Sequence, residues 1–370
     1  MEGDMTQIRR WLMPLSWLYG VAVDIRNALF DLGILRSVSY DIPIINVGNI
    51  TVGGTGKTPH VEYLIRLLSD CYRVAVLSRG YKRKTRGYFL STINSTIEEI
   101  GDEPWQIKKK FPNIYVAVDA NRRRGIKRLL TDETTKDVEV ILLDDAYQHR
   151  YVKAGHNILL VDYHRIISDD CLLPAGCLRE RASSIRRATT VIVTKCPQHI
   201  MAMGFRVILS ALHIRPYQQL FFSTFNYGTM YQLWGDGTME PDMLRKNNIH
   251  VLLLTGIGNP RQMEQDIRRF VQHITPLTFP DHHYYTKRDT DAIQQALHAL
   301  PKPHIIITTE KDAARLQHLQ ELSEEIRQST YVLPIEVCIM RDEKNKLDKK
   351  ITDYVCKNKR NSRMASQKDA

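Results

Sequence analysis

Residues 42–59 read Ile42-Pro-Ile-Ile-Asn-Val47-Gly-Asn-Ile-Thr51-Val52-Gly53-Gly54-Thr55-Gly56-Lys57-Thr58-Pro59, and this stretch decides the fold class. The apolar run 42–47 lacks polar alternation, the pattern of a strand buried on both faces. A glycine-rich turn follows, and residues 59–68 then read as a helix with Val61, Leu64, Ile65 and Leu68 inward. Pro59 sits early in that helix, where a missing N–H does no harm. Strand, glycine-rich turn and a Lys-Thr pair opening a helix make a phosphate cradle. Backbone N–H groups and the helix N-terminus hold phosphate oxygens, Lys57 reaches the β- and γ-phosphates, and Thr58 binds Mg²⁺. Thr51 stands where the usual G-x-x-x-x-G-K-[ST] pattern has its first glycine. The expected nucleotide-binding residues are Thr51, Val52, Gly53, Gly54, Thr55, Gly56, Lys57 and Thr58, with ATP and Mg²⁺ as ligands.

A second half of such a site is an acidic residue ending a buried strand. Val138-Glu-Val-Ile-Leu-Leu-Asp144-Asp145 supplies it, and Asp144 and Asp145 are the expected holders of Mg²⁺, directly or through water. Further apolar runs at 73–77, 114–118, 138–143, 157–161 and 190–194 alternate with helical patterns. That alternation predicts an α/β fold, a P-loop NTPase-like and mostly parallel sheet covered by helices.

Around 220–237 the pattern changes to Leu220-Phe-Phe-Ser-Thr-Phe and Met230-Tyr-Gln-Leu-Trp flanking Asn226-Tyr-Gly228. This reads as a β-ribbon linker. A second αβ series then starts with a strand at 250–254, a Gly256-Ile-Gly258-Asn-Pro260 turn, a helix to about Val271 and a strand at 304–308. The expected layout is an N-terminal amphipathic helix (1–40), a P-loop core (41–218), the ribbon (219–240), a smaller α/β domain with a C-terminal return (241–356) and a basic disordered tail (357–370).

The 370 residues carry a formal charge of +11, which points to anionic partners such as phosphates or an acidic membrane surface. Nucleic acid is not expected, because no aromatic-interleaved motif accompanies the charge. The six cysteines show neither a C-x-x-C pair nor zinc spacing, so reduced thiols are expected. Residues 11–23 are uncharged but too few to span a bilayer, and they contain Pro14. Ile8, Leu12, Leu15, Leu18, Tyr19, Ala22, Ile25, Leu29 and Leu32 recur at helical spacing, with Ser16, Asp24, Asn27 and Asp31 on the other side. Trp11, Trp17 and the flanking arginines tilt this helix toward a membrane surface.

Membrane-recruited partition ATPases share a G-G-x-G-K-T loop but carry lysine just before its double glycine, where this chain has Val52. Several ordered segments instead resemble the tetraacyldisaccharide 4′-kinases of lipid A synthesis. They are the stretch from Asn46 to Pro59, Ser78-Arg-Gly-Tyr81, Gly101-Asp-Glu-Pro104, Asp144-Asp-Ala-Tyr-Gln-His149, Leu173-Pro-Ala-Gly-Cys-Leu-Arg-Glu180, Gly256-Ile-Gly-Asn-Pro260, Phe279-Pro-Asp-His-His-Tyr-Tyr285 and Thr309-Glu-Lys-Asp-Ala-Ala-Arg-Leu316. Ala146 and Cys177 depart from residues common in the family. The resemblance implies transfer of the ATP γ-phosphate to the 4′-hydroxyl of an acylated glucosamine disaccharide 1-phosphate. It also implies a peripheral place at the cytoplasmic face of the bacterial inner membrane, with its anionic lipids.

A sugar hydroxyl is a poor nucleophile and needs a carboxylate within hydrogen-bond reach. Asp102 matches the family's base, His282 the histidine that pairs with it, and Glu103 is expected to face the metal. Asp281-His-His283 also resembles a phosphoesterase metal motif, but no matching upstream ligand set is found. Arg79, Gln148 and Arg179 lie inside matched motifs, and Arg122 in a basic stretch; these four are the candidate substrate or phosphate contacts. At the level of residues alone, a kinase of a soluble sugar and a nucleotide-switched membrane protein stay open.

Overall fold

The apolar stretch before the glycine-rich turn forms strand β1 (Ile44–Gly48), buried at every position. The computed structural model describes residues 8–258, 260–281, 283–317, 319 and 322–366, with 359–366 described by backbone alone. The strands that follow are β2 (Val74–Ser78), β3 (Phe89–Leu90), β4 (Tyr115–Val118), β5 (Val140–Asp144), β6 (His156–Asp162), β7 (Thr190–Thr194) and β8 (Gln219–Tyr227). Then come β9 (Met230–Gln232), β10 (Thr238–Met239), β11 (His250–Thr255), β12 (His273–Thr278), β13 (His304–Thr309), β14 (Thr330–Leu333) and β15 (Ile335–Ile339). Two compact units result. The first holds Met1–Phe225 and Val337–Ala370, the second Asn226–Glu336.

In the first unit the strand order is β15-β8-β7-β6-β1-β5-β2-β4-β3. β1 pairs in parallel with β5 on one side and β6 on the other. The chain leaves β1 for β2 on one flank and later fills β6 on the other, so β1 borders a topological switch point. Such a point opens a crevice at the strands' C-terminal ends, where ligands bind. Strand periodicity of two sends alternate side chains to opposite layers. Ile45, Val47, Val76 and Leu142 meet Val61, Leu64, Ile65 and Leu68 on one face, with Leu347, Ile351 and Val355 of the C-terminal helix Lys344–Ser366 in the same layer. Ile44, Leu77, Ile141 and Leu143 meet Ile126 and Leu129 on the other. The helix after the glycine-rich turn therefore buries the four residues its spacing predicts, and it begins two residues before Pro59.

Helix α1 (Met13–Asp31) precedes β1 in the chain and helix α2 (Lys57–Ser69) follows it. α1 lies with its polar side inward. Ser16 and Gly20 are buried, whereas Trp17 is 69% and Leu18 61% exposed. Trp11, Leu15 and Ile25 are exposed as well. Asp24 pairs with Arg181 at 2.6 Å, and Asp31 with Arg186 at 2.8 Å and Arg150 at 2.5 Å. Leu12 departs from the exposed stripe and is buried. Among the described residues, no helix is long and apolar enough to cross a membrane.

The second unit has strand order β10-β9-β14-β13-β11-β12. β11 runs parallel to both β12 and β13. Ile293, Leu297, Ala313 and Leu316 cover one face of this sheet and Met263 with Ile267 the other.

Four expectations differ from the structure. The segment 219–240 is not a self-contained ribbon: β8 joins the nine-stranded sheet, and β9 and β10 join the six-stranded one. The return from Val337 belongs to the first unit rather than to the smaller domain. The expected disordered tail is instead part of the helix Lys344–Ser366 as far as it is described, because Leu347, Ile351 and Val355, spaced for one helix face, bury fully and hold the helix to the sheet. The helix after Gly256 also ends earlier, at Ile267.

Candidate active site

The end of β1 and the end of β5 are neighbours: Val47 lies opposite Asp144 in the parallel register. That pairing alone brings the glycine-rich turn beside the acidic pair. Asn49, fully buried, closes the turn by donating from Nδ2 to the Thr51 hydroxyl at 3.3 Å and the Thr55 hydroxyl at 2.9 Å. Gly56 has φ +78°, a left-handed conformation that disfavours any Cβ, and a Cβ there would come within 2.8 Å of Phe225. His60 fixes the same glycine. Its Nδ1 donates to the Gly56 carbonyl at 2.7 Å, and its Nε2 accepts from the Ser223 hydroxyl at 3.0 Å. Burial pushes the His60 pKa down to about 4, so the ring is neutral and this tautomer is the one the two bonds require.

Lys57 Nζ lies 3.7 Å from Asp145 Oδ1, and Arg179 Nη1 lies 3.2 Å from Asp145 Oδ2. Burial raises the Asp145 pKa, but Lys57 and Arg179 outweigh it and hold the carboxyl below the usual range, hence ionised. Asp145 has φ +47°, an uncommon left-handed conformation for a residue with a side chain, and such strain concentrates at functional sites. Asp144 behaves differently. Burial, with the charges of Glu103 and Asp145 nearby, pushes it up to about 7. Its Oδ2 accepts from the Ser78 hydroxyl at 3.1 Å, while Oδ1 is buried with no hydrogen-bond partner.

Asp102 and Glu103 open the helix Asp102–Lys110, just after Gly101. Gly101 has φ +91°, and a Cβ there would lie 2.9 Å from the Tyr81 carbonyl, so the turn that aims Asp102 needs glycine. Asp102 is buried, and its Oδ1 accepts from the Glu103 N–H at 3.0 Å. Gln106 of this helix donates to Glu62 of α2 at 3.0 Å, tying the carboxylates to the helix that opens with Lys57.

The remaining candidates divide. Arg179 reaches Asp145, and its backbone N–H donates to the Ile50 carbonyl at 2.7 Å. Gln148 donates to the Asn49 carbonyl at 2.8 Å. Arg122 is buried, with its guanidinium on the carbonyls of Asp119 at 2.8 Å and Asp144 at 3.0 Å, and burial pushes its pKa down to about 10. Arg79 is exposed, and its charge reaches Arg122. His282 lies outside the described residues. Asn49, His60 and Ser78 brace the site by hydrogen bonds, and the sequence did not single them out. Asn49 and Ser78 sat inside quoted motifs, but their partners, Thr55 and Asp144, are set by the loop and the sheet.

Mg²⁺ needs few protein ligands, one or two carboxylates beside substrate phosphates. Among the described residues no group of three or more His, Cys, Asp or Glu is arranged to hold a metal. The buried, unpartnered Oδ1 of Asp144 nevertheless fits a cation carried in with a nucleotide.

Residues 8–355 match the family model described as LpxK: Tetraacyldisaccharide-1-P 4′-kinase. The chain is 50% identical over 363 residues to the tetraacyldisaccharide 4′-kinase of Phocaeicola vulgatus, covering 98% of this chain and 99% of that one. It is 47% identical over 378 residues to the enzyme of the same name from Bacteroides thetaiotaomicron, covering 100% and 99%. The fold is similar to the crystal structure of the "apo" form of LpxK from Aquifex aeolicus in complex with ATP. The TM-score is 0.71 at 30% identity, over 94% of this chain and 99% of that one. With the match running across both units and through every motif of the glycine-rich site, the chain belongs to the tetraacyldisaccharide-1-P 4′-kinase family and is a kinase.

Proposed function

We propose that this kinase transfers the γ-phosphate of ATP to the 4′-hydroxyl of a tetraacylated glucosamine disaccharide 1-phosphate, with Asp102 as the general base. The observation that carries this reading is the buried Asp102 at the head of a helix that packs beside α2. Its neighbour Glu103 is close enough to raise the Asp144 pKa. A carboxylate beside the phosphate cradle is what an acceptor hydroxyl needs to lose its proton as the new P–O bond forms.

The nucleotide's phosphates would lie along residues 51–58, with Lys57 released from Asp145 toward the β- and γ-phosphates. Thr58, Asp144, Asp145 and Glu103 would hold Mg²⁺, which neutralises developing charge on the transferred group. Arg179, which pairs with Asp145, would contact a phosphate, as would Gln148, Arg79 and Arg122 at the same end of the sheet. The resemblance assigns His282 to tuning that base.

The exposed apolar side of α1, together with the net charge of +11, supports docking on an anionic membrane surface, the cytoplasmic face of the inner membrane. An acylated acceptor lies in such a surface, whereas a soluble sugar needs no such helix.

The test is incubation with ATP, Mg²⁺ and a tetraacyldisaccharide 1-phosphate, read by mass spectrometry. A bisphosphorylated product is expected, and Asp102→Asn is expected to lower kcat by about 10²–10⁴-fold with ATP affinity retained. Turnover equal to wild type in Asp102→Asn removes Asp102 from the mechanism. No product from the wild type removes the acceptor.

A further inference from the structure

α1 grips two loops, and each of those loops grips the phosphate cradle from its other side. The first is the segment 175–181. The Ser16 hydroxyl accepts from the Ala175 N–H at 2.8 Å, the Tyr19 hydroxyl donates to the Arg179 carbonyl at 2.9 Å, and Asn27 donates to Glu180 at 3.3 Å. On its far side the same segment pairs with the start of the cradle. Thr51 and Leu178 form an antiparallel bridge, Val52 N–H donates to the Cys177 carbonyl at 2.8 Å, and Arg179 N–H to Ile50 at 2.7 Å. The second loop follows β5. Arg26 Nη2 donates to the Gln148 carbonyl at 2.7 Å, and the Gln148 side chain donates to Asn49.

Each hydrogen bond named is 3.3 Å or shorter, and one of the residues so held, Arg179, carries the guanidinium that pairs with Asp145. A helix anchored only to lie on a surface needs no bonds to the backbone of Arg179 and Gln148. We propose that Tyr19 and Arg26 are positioning residues for phosphoryl transfer: through the carbonyls of Arg179 and Gln148 they set the Arg179 guanidinium and the Asn49-closed turn against the bound triphosphate. α1 is thus a structural member of the reaction centre as well as the part whose apolar face is exposed. This inference rests on the phosphate-contacting role proposed above for Arg179.

Displacement of a positioned group by about 1 Å can cost up to about 100-fold in rate. In detergent micelles with saturating ATP and lipid acceptor, Tyr19→Phe and Arg26→Met are each expected to lower kcat by about tenfold or more. The acceptor KM, vesicle co-sedimentation and thermal midpoint should stay at wild-type values. Arg26→Lys, which retains a donor for the Gln148 carbonyl, should recover most of kcat. Tyr115→Phe, which removes a hydroxyl bound to Asp137 elsewhere in the unit, should leave kcat unchanged.

Wild-type kcat in Tyr19→Phe and Arg26→Met overturns the proposal. So does a loss confined to acceptor KM or to vesicle binding, which would make α1 an anchor only. Acceptor-independent ATP hydrolysis is measured on the same proteins. If the wild type makes no bisphosphorylated lipid, the functional reading fails, yet the relay is still judged. Hydrolysis lowered in Tyr19→Phe and Arg26→Met and restored in Arg26→Lys supports it, and equal hydrolysis overturns it.

Discussion

Lys57 Nζ sits 3.7 Å from Asp145 Oδ1, an ion pair that joins the glycine-rich turn to the acidic pair at the end of β5. The pairing helps hold the Asp145 carboxyl below its usual range and orients both side chains, and a triphosphate at the turn would compete with a carboxylate for the ammonium. Lys57→Met removes a donor aimed at the transferring group. It is expected to lower kcat by at least about 100-fold. Single-turnover measurement of phosphoryl transfer checks this, and a rate within a few-fold of wild type would reassign Lys57 to structure.

Gly101 places Asp102 through a left-handed turn with no room for a methyl group. Gly101→Ala is expected to cost about 1–3 kcal/mol of stability from the backbone conformation alone. It should also lower kcat, since relief of the contact with the Tyr81 carbonyl moves the head of the helix. Urea unfolding reads the first effect. An unchanged midpoint contradicts the strain.

His156 carries a pH dependence of stability. It is buried on β6 with Nε2 3.1 Å from the Thr190 hydroxyl. Burial, with Lys350 nearby, pushes its pKa down to about 4. The unfolded chain takes up the proton near pH 6.5 while the folded one resists it, so stability present above 6.5 is lost as pH falls toward 4. The loss should approach about 3 kcal/mol at the acid end. Chemical unfolding across that window, compared with His156→Gln, isolates the contribution. Parallel pH profiles for the two proteins would exclude it.

Trp17 on the outer side of α1 and Trp11, just before that helix, are 69% and 77% exposed. Replacing both with serine should weaken binding to anionic vesicles at least about tenfold, because each indole buries a large apolar area in an interface. Retained sedimentation would place the anchor on the basic surface instead.

The glycine-rich turn, its flanking strand and helix, and the acidic end of β5 were legible in the sequence because each is a local pattern. So was the doubly covered sheet, whose central strands are unbroken apolar runs. The strands β12 and β15 were not. β12 is an edge strand, largely exposed and interrupted by Pro276, so it carries neither an apolar run nor a regular alternation. The C-terminal helix was hidden by its lysines, which outnumber the few buried positions that fix it. The contacts that brace the site were invisible for a different reason. Tyr19 and Arg179 are 160 residues apart, Arg26 and Gln148 122, and nothing local in either partner marks the other.

The return of the chain to the first sheet has a consequence for synthesis. Ile351 and Val355 are fully buried against the layer that holds α2, and the Tyr354 hydroxyl donates at 3.0 Å to the carbonyl of Ile44, the first residue of β1. Asn226–Glu336 is contiguous and leaves the ribosome before those residues do. The unit that starts first is therefore the one that closes last. A nascent chain leaves that part of the sheet face uncovered until translation is nearly done, and a message truncated late yields a protein whose sheet lacks the helix that packs beside α2.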